Sequence, residues 1–194
     1  MYELPTSIFL NDSEFTIRNK GDFRMVLDCF RAIQDISLSQ EERALAALII
    51  FFDGMNDIED LEQLGDLKEA IRQMTIFFNC GQEQDQGHRC DYKLIDWSKD
   101  EMLVTSAINK VAGKEIRLEP YIHWWTFMGY YMAVGESSLS TVVSIRNKIA
   151  KGKKLEKYES EFRRSNPQYF NWDMRSIETR ELEAEIRKMW NSQS

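Results

Sequence analysis

Glu119-Pro120-Tyr121-Ile122-His123-Trp124-Trp125-Thr126-Phe127-Met128-Gly129-Tyr130-Tyr131-Met132-Ala133-Val134 carries six aromatic rings interleaved with two methionines. Pro120 suits a first helical turn, where its missing N–H would have had no partner. Gly135 then stops the segment, so the run reads as one helix from about Glu119 to Val134. Such a helix is apolar nearly all round, which makes it either the centre of a core or an element that keeps one face for a partner. Methionines on that face would adapt to varied helical clients. The candidate partner-binding residues are accordingly Trp124, Trp125, Met128, Tyr131 and Met132.

A helix of this kind must be covered by other amphipathic helices, and the flanking sequence supplies them. Upstream, Phe23, Val26, Leu27, Phe30 and Ile33 fall three or four residues apart after Asp22, which predicts about three helical turns. Ser39 with Glu42 forms the signature of a capping box ahead of the Ala44–Phe52 run, and Asp53-Gly54 ends that helix. A third helical stretch from about Ile58 to Phe78 is interrupted at Gly65-Asp66, with Leu61, Leu64, Leu67, Ile71, Met74 and Phe78 inward. A helix near Ser98–Ala112 precedes the aromatic one. Downstream, Ser137 or Ser138 opens a helix ended by Gly152, a basic helix follows around 155–164, and Asn166-Pro167 breaks the chain. A last helix is expected over Asp173–Trp190, with Ile177, Leu182, Ile186, Met189 and Trp190 on one side. Only the start departs from the helical period: Thr6–Ile17 reads as two β-rich runs around Asn11-Asp12, residues that tolerate the left-handed turn of a tight hairpin.

The expected fold is therefore mainly α, a helical domain with a small N-terminal β-hairpin. Residues 1–78 hold the hairpin and acidic helices, 79–90 a polar loop, and 91–194 the aromatic and basic helices, packed with the first part as one domain. At 194 residues one real core can be buried. No apolar run is long enough to span a membrane, and residues 1–11 lack the pattern of a signal peptide, so a soluble chain in the cytoplasm is expected. Three cysteines, Cys29, Cys80 and Cys90, fit free thiols in a reducing compartment. The net charge of −7 argues against a general nucleic-acid binder. Its distribution is uneven: residues 1–90 carry 8 Lys/Arg against 17 Asp/Glu, and residues 91–194 carry 17 against 15.

Chemistry-bearing patterns are sparse. Cys80, His88 and Cys90 are one ligand short of a structural zinc site and lack its paired spacing. Of two histidines, His123 lies beside Trp124-Trp125, where a core or interface role outweighs that of a base. The carboxylates of 57–69 have no apolar pocket to raise one of them, and no phosphate-cradling glycine loop exists. No cofactor, no metal and no catalysis are expected. The run Arg146–Lys157, with Lys148, Lys151, Lys153 and Lys154, is the one stretch suited to an anion, against the simpler reading of a solvated helix end.

At His123-Trp124-Trp125-Thr126-Phe127 the chain resembles a family encoded in tailed phages and prophages of Gram-positive bacteria, beside the tape-measure gene. Cys90-Asp91-Tyr92 and Asp96-Trp97-Ser98-Lys99-Asp100 are similar to that family's acidic entry to a helix. Val143-Ser144-Ile145-Arg146, followed by Lys148 to Lys154, is similar to its Ile-x-x-Arg helix with a basic tail. The likeness extends over the opening hairpin and the helix at Asp22-Phe23-Arg24, and so over most of the chain to about Phe170; it departs at 113–118. The resemblance implies a tail-assembly chaperone in the infected host's cytoplasm, acting on the tape-measure protein, with tail-tube subunits as a further client. No catalytic residue comes with it. The competing expectation is a structural connector or tail completion protein retained in the virion. Self-association into a homo-oligomer stays open; nucleic acid and membrane are not expected partners.

Overall fold

The computed structural model describes residues 3–83, 92–176 and 179–180. They are mainly helical, with one two-stranded antiparallel sheet at the N-terminus. The chain divides into two compact units, Met1–Asp85 with Val111–Ala133, and Gln86–Lys110 with Val134–Ser194. Residues 111–133 thus return to the first unit, an excursion that a division taking 91–194 together does not contain.

In the first unit, β1 (Ser7–Leu10) pairs with β2 (Ser13–Thr16) in the register Ser7↔Thr16 to Leu10↔Ser13. Asn11 (φ 47°) and Asp12 (φ 64°) both take the left-handed backbone of a two-residue turn, as their short polar side chains allow. On β1 the side chains alternate: Ile8 and Leu10 are buried and Phe9 points to solvent. Ile17 then bridges to Phe52 at the end of α2 (Gln40–Phe51), both fully buried. α1 (Phe23–Ile33) is capped by Asp22, whose carboxylate accepts from the Arg24 N–H, and packs on α2. The capping box of α2 is present in both directions, Glu42 N–H to Ser39 Oγ at 3.2 Å and Ser39 N–H to Glu42 Oε2 at 2.8 Å.

The other end of α2 has no basic residue in its last turn, yet its carbonyls need donors. Arg18 supplies them from the segment after the hairpin, donating to the carbonyls of Ile49, Ile50, Phe52 and Met55 at 2.5–3.2 Å. A 3₁₀ turn at Glu59–Leu64 precedes α3 (Leu67–Phe78), and the interruption between them falls at Gly65 (φ 71°) and the cap Asp66.

The aromatic helix is shorter than expected. α5 covers Trp124–Met132 only, and Pro120 lies outside it. Tertiary hydrogen bonds override the proline signal: the Ile122 N–H donates to Asp22 Oδ2 at 3.0 Å, and the Ile122 carbonyl accepts from Phe23 at 2.9 Å. Ile122 and His123 are held against the entrance of α1, and His123 becomes the cap instead of an interior helical residue. Behind α5 lies an aromatic core. Phe127 stacks on Phe23 (centroids 4.6 Å, planes 7° apart) and on Trp124 (5.5 Å); Phe30 meets Trp124 and Phe78, and Phe51 meets Phe52, Phe77 and Phe78 edge-on. Such pairs add about 0.5–1.5 kcal/mol each beyond the area they bury.

The second unit contains most of α4 (Glu101–Ala112), α6 (Ser138–Ala150), α7 (Lys157–Ser165) and a 3₁₀ turn at Pro167–Tyr169. Ser137 caps α6 with Ser140 as the return arm, and Gly152 (φ 63°) terminates it. The Lys93 N–H bonds to the Met174 carbonyl at 2.7 Å. The predicted last helix does not begin at Asp173: residues 173–176 are not helical and Thr179-Arg180 are, while most of that segment lies outside the described residues, as do residues 84–90 of the predicted loop.

Candidate interaction surface

α5 grades from core to solvent across the five residues singled out by sequence. Trp124 is 1 % exposed, and its indole N–H donates to the Phe78 carbonyl at 2.9 Å, so it offers no surface to a partner in this structure. Trp125, half-buried, donates in the same way to the Phe77 carbonyl at 2.9 Å. The two indoles thereby donate to carbonyls at the end of α3, where the Phe77 carbonyl also accepts from the Cys80 N–H at 3.1 Å. Trp125 also lies against Gly81 (φ 86°), where a Cβ would come within 3.1 Å of the ring. Met128 and Tyr131 are half-buried, and Met132 is 81 % exposed. The spacing 125, 128, 132 places Trp125, Met128 and Met132 on one face of the helix. Trp124 and Phe127, both 1 % exposed, form the buried side of the helix.

His123 uses both ring nitrogens in the fold. Nδ1 accepts from the Trp125 N–H at 3.0 Å, and Nε2 lies 3.0 Å from the Pro5 carbonyl, so Nε2 carries the proton and the ring is neutral. Burial pushes its pKa below the usual histidine value, against the opposing pull of the Pro5 carbonyl and Asp22. A ring engaged in this way is a positioning element for α5.

The basic run is divided by the structure. Arg146, read from sequence as part of an anion-binding strip, is 0 % exposed. It donates to Asp100 through two nitrogens at 2.6 and 2.8 Å, to the Leu94 carbonyl at 2.9 Å, and twice to the Tyr169 carbonyl. All five guanidinium N–H groups are engaged, and Trp172 covers the group at 4.8 Å. Lys148 pairs with Glu159, itself 2 % exposed, at 2.7 Å; each holds the other in its charged form, raising the lysine and lowering the carboxyl. Lys151, Lys153, Lys154 and Lys157 remain exposed.

Sequence reasoning missed the Asp100–Arg146 pair, although a signal for it existed. Arg146 stands in register with Leu139, Val142 and Ile149 on the inward stripe of α6, and Asp100 precedes Leu103, Val104 and Ala107 on that of α4. A charge at an inward position requires a partner, and two opposite charges on inward stripes point to each other. Asp100 and Arg146 belong to two of the stretches that strengthen the family resemblance.

Among the described residues, no group of three or more His, Cys, Asp or Glu could hold a metal ion, and no helix is long and apolar enough to cross a membrane. His88 and Cys90 lie outside those residues. Cys29 is fully buried and Cys80 half-buried; both are free thiols.

Fold and site together define a helical protein whose buried polar groups brace the structure and whose aromatic helix presents an outer methionine face. The chain belongs to the bacteriophage Gp15 protein family, whose model matches residues 1–170. No curated protein and no solved structure matched it.

Proposed function

We propose that this phage protein is a tail-assembly chaperone that holds the tape-measure protein, and secondarily tail-tube subunits, in the host cytoplasm, by binding without turnover. Family membership supplies the phage context. The observation that carries the reading is the outer face of α5, where Met132 is 81 % exposed on a helix clamped from behind by Trp124 and Phe127. A tape-measure chain exposes apolar helical stripes before the tube encloses it. Covering such a stripe is worth roughly 25 cal/mol per Å² of apolar surface removed from water, and methionine fits varied side chains. His123, with both nitrogens engaged, supports binding over catalysis.

Co-expression tests the reading. The chain should keep a tape-measure fragment soluble, and Met128→Ser with Met132→Ser should lower recovery of the complex more than Lys151→Ser, Lys153→Ser and Lys154→Ser together. Exposed ion pairs contribute at most about 1 kcal/mol each and are screened by salt, so the complex should survive moderate salt. Stoichiometric recovery of the chain from purified virions would overturn the reading in favour of a retained connector.

A further inference from the structure

Two exposed surfaces, one on each unit, carry opposite charge. Between Asp53 and Glu69 the first unit carries seven carboxylates against one cation, Lys68. Asp53, Asp57, Glu59, Glu62 and Asp66 are exposed. Ile58, in their midst, is 60 % exposed, an apolar knob ringed by negative charge.

The second unit presents the converse. Lys151, Lys153, Lys154, Lys157, Arg163 and Arg164 are all exposed and make no ion pair among the described residues, while Glu156 and Glu161 are the exposed acids between them. Helix-end stabilisation explains the lysines after α6, whose C-terminal carbonyls favour cations. It covers Arg163 and Arg164 as well, in the last turn of α7, but not Lys157, which sits in the first turn of that helix, the end where a cation is disfavoured. Beside these cations lies a shallow depression of about 400 Å³, lined by Leu155, Ser160, Arg163, Arg164, Pro167 and Asn171. Leu155 and Pro167 are apolar lining residues of no use to a phosphate backbone, and the two arginines line it beside them.

We propose that this depression receives the Ile58 knob of a second copy of the chain, with Arg163, Arg164 and the lysines facing that copy's Asp57, Glu59 and Glu62. The contact joins different surfaces of the two copies, so it is heterologous and propagates head to tail, into a ring if the rotation closes and a filament if it does not. It is independent of the chaperone reading. Its charge content makes it salt-sensitive, whereas a client held on α5 by apolar burial is not.

Sedimentation velocity on the full chain tests it. At low ionic strength the wild-type protein should sediment as concentration-dependent species larger than a monomer, and should return to monomer as salt rises through the range where the Debye length falls below about 8 Å. The variant Lys154→Glu/Arg163→Glu/Arg164→Glu and the variant Ile58→Ser/Glu59→Lys/Glu62→Lys should each be monomeric alone, with unchanged circular dichroism, and should associate when mixed, because each retains the surface that the other's change complements. A wild-type monomer at every salt, association untouched by either variant, or failure of the mixture to associate would each overturn the proposal. So would retardation of a short DNA duplex by the lysine-arginine surface without self-association, which would assign that surface to phosphate.

Discussion

Replacing Arg146 with methionine removes the guanidinium while keeping a long apolar stem. Asp100, 0 % exposed, is then left as a buried carboxylate whose remaining donor is the Asp96 N–H at 2.9 Å. The Leu94 carbonyl loses its Arg146 donor as well, whereas the Tyr169 carbonyl keeps the Trp172 indole at 3.2 Å. Breaking a buried pair from one side costs about 3–5 kcal/mol, chiefly because the other charge remains. For a chain of this size that lowers Tm by about 6–20 °C. Adding Asp100→Ala removes the stranded charge, so Arg146→Met/Asp100→Ala should recover about 2 kcal/mol relative to Arg146→Met alone, a coupling expected only for groups in direct contact. Urea and thermal unfolding followed by circular dichroism measure both quantities. A loss under about 1 kcal/mol for Arg146→Met, or strict additivity in the double variant, would refute the assignment of this pair as the brace of the second unit.

Trp124→Ala should cost about 3–5 kcal/mol, the usual result of emptying a buried aromatic site, and half-buried Trp125→Ala about half of that; equal losses in denaturant titrations would contradict the graded burial of α5. His123 couples stability to pH. Its folded pKa lies below the unfolded value, so the unfolded chain takes up the proton first; the stabilisation is complete above about pH 6.5 and is lost as pH falls below it. His123→Asn keeps a capping acceptor but cannot titrate, so the difference in stability between wild type and variant should shrink or reverse from pH 7 to pH 5.5, and a difference constant over that range would exclude the linkage. Burial raises both described thiols, Cys29 most strongly. In a Cys90→Ser background a thiol reagent should therefore modify Cys80 slowly in the folded protein and Cys29 only after unfolding, as followed by mass spectrometry.

Local signals were legible where local chemistry decides the structure. The Asn11-Asp12 turn, the Ser39–Glu42 box, the break at Gly65-Asp66 and the stop at Gly152 each depend on residues within one turn of the event, and each appears where the sequence places it. The start of α5 was not legible, because Pro120 is overruled by hydrogen bonds to Asp22 and Phe23, about a hundred positions away in the chain. The same limit applies to charge. Arg146 and Lys151 look alike in a basic run, but one faces Asp100 across forty-six positions and the other faces water. At α5 the sequence identified the helix that bears the outer face; the division between Trp124 inside and Met132 outside depends on where α1 and α3 lie against it.

The return of residues 111–133 to the first unit means that no single cut separates the units. A fragment ending in the 79–90 segment would retain Phe23, Phe30, Phe77 and Phe78 but lack Trp124 and Phe127, leaving an aromatic cavity open to water and two carbonyls of α3 without their indole donors. On the ribosome the same constraint sets an order. The first unit must wait, with its largest rings uncovered, until residue 133 has emerged, while the 86–110 stretch of the second unit is already outside and lacks the α6 arginine that will neutralise Asp100. Each half is therefore completed by chain made after the other has begun.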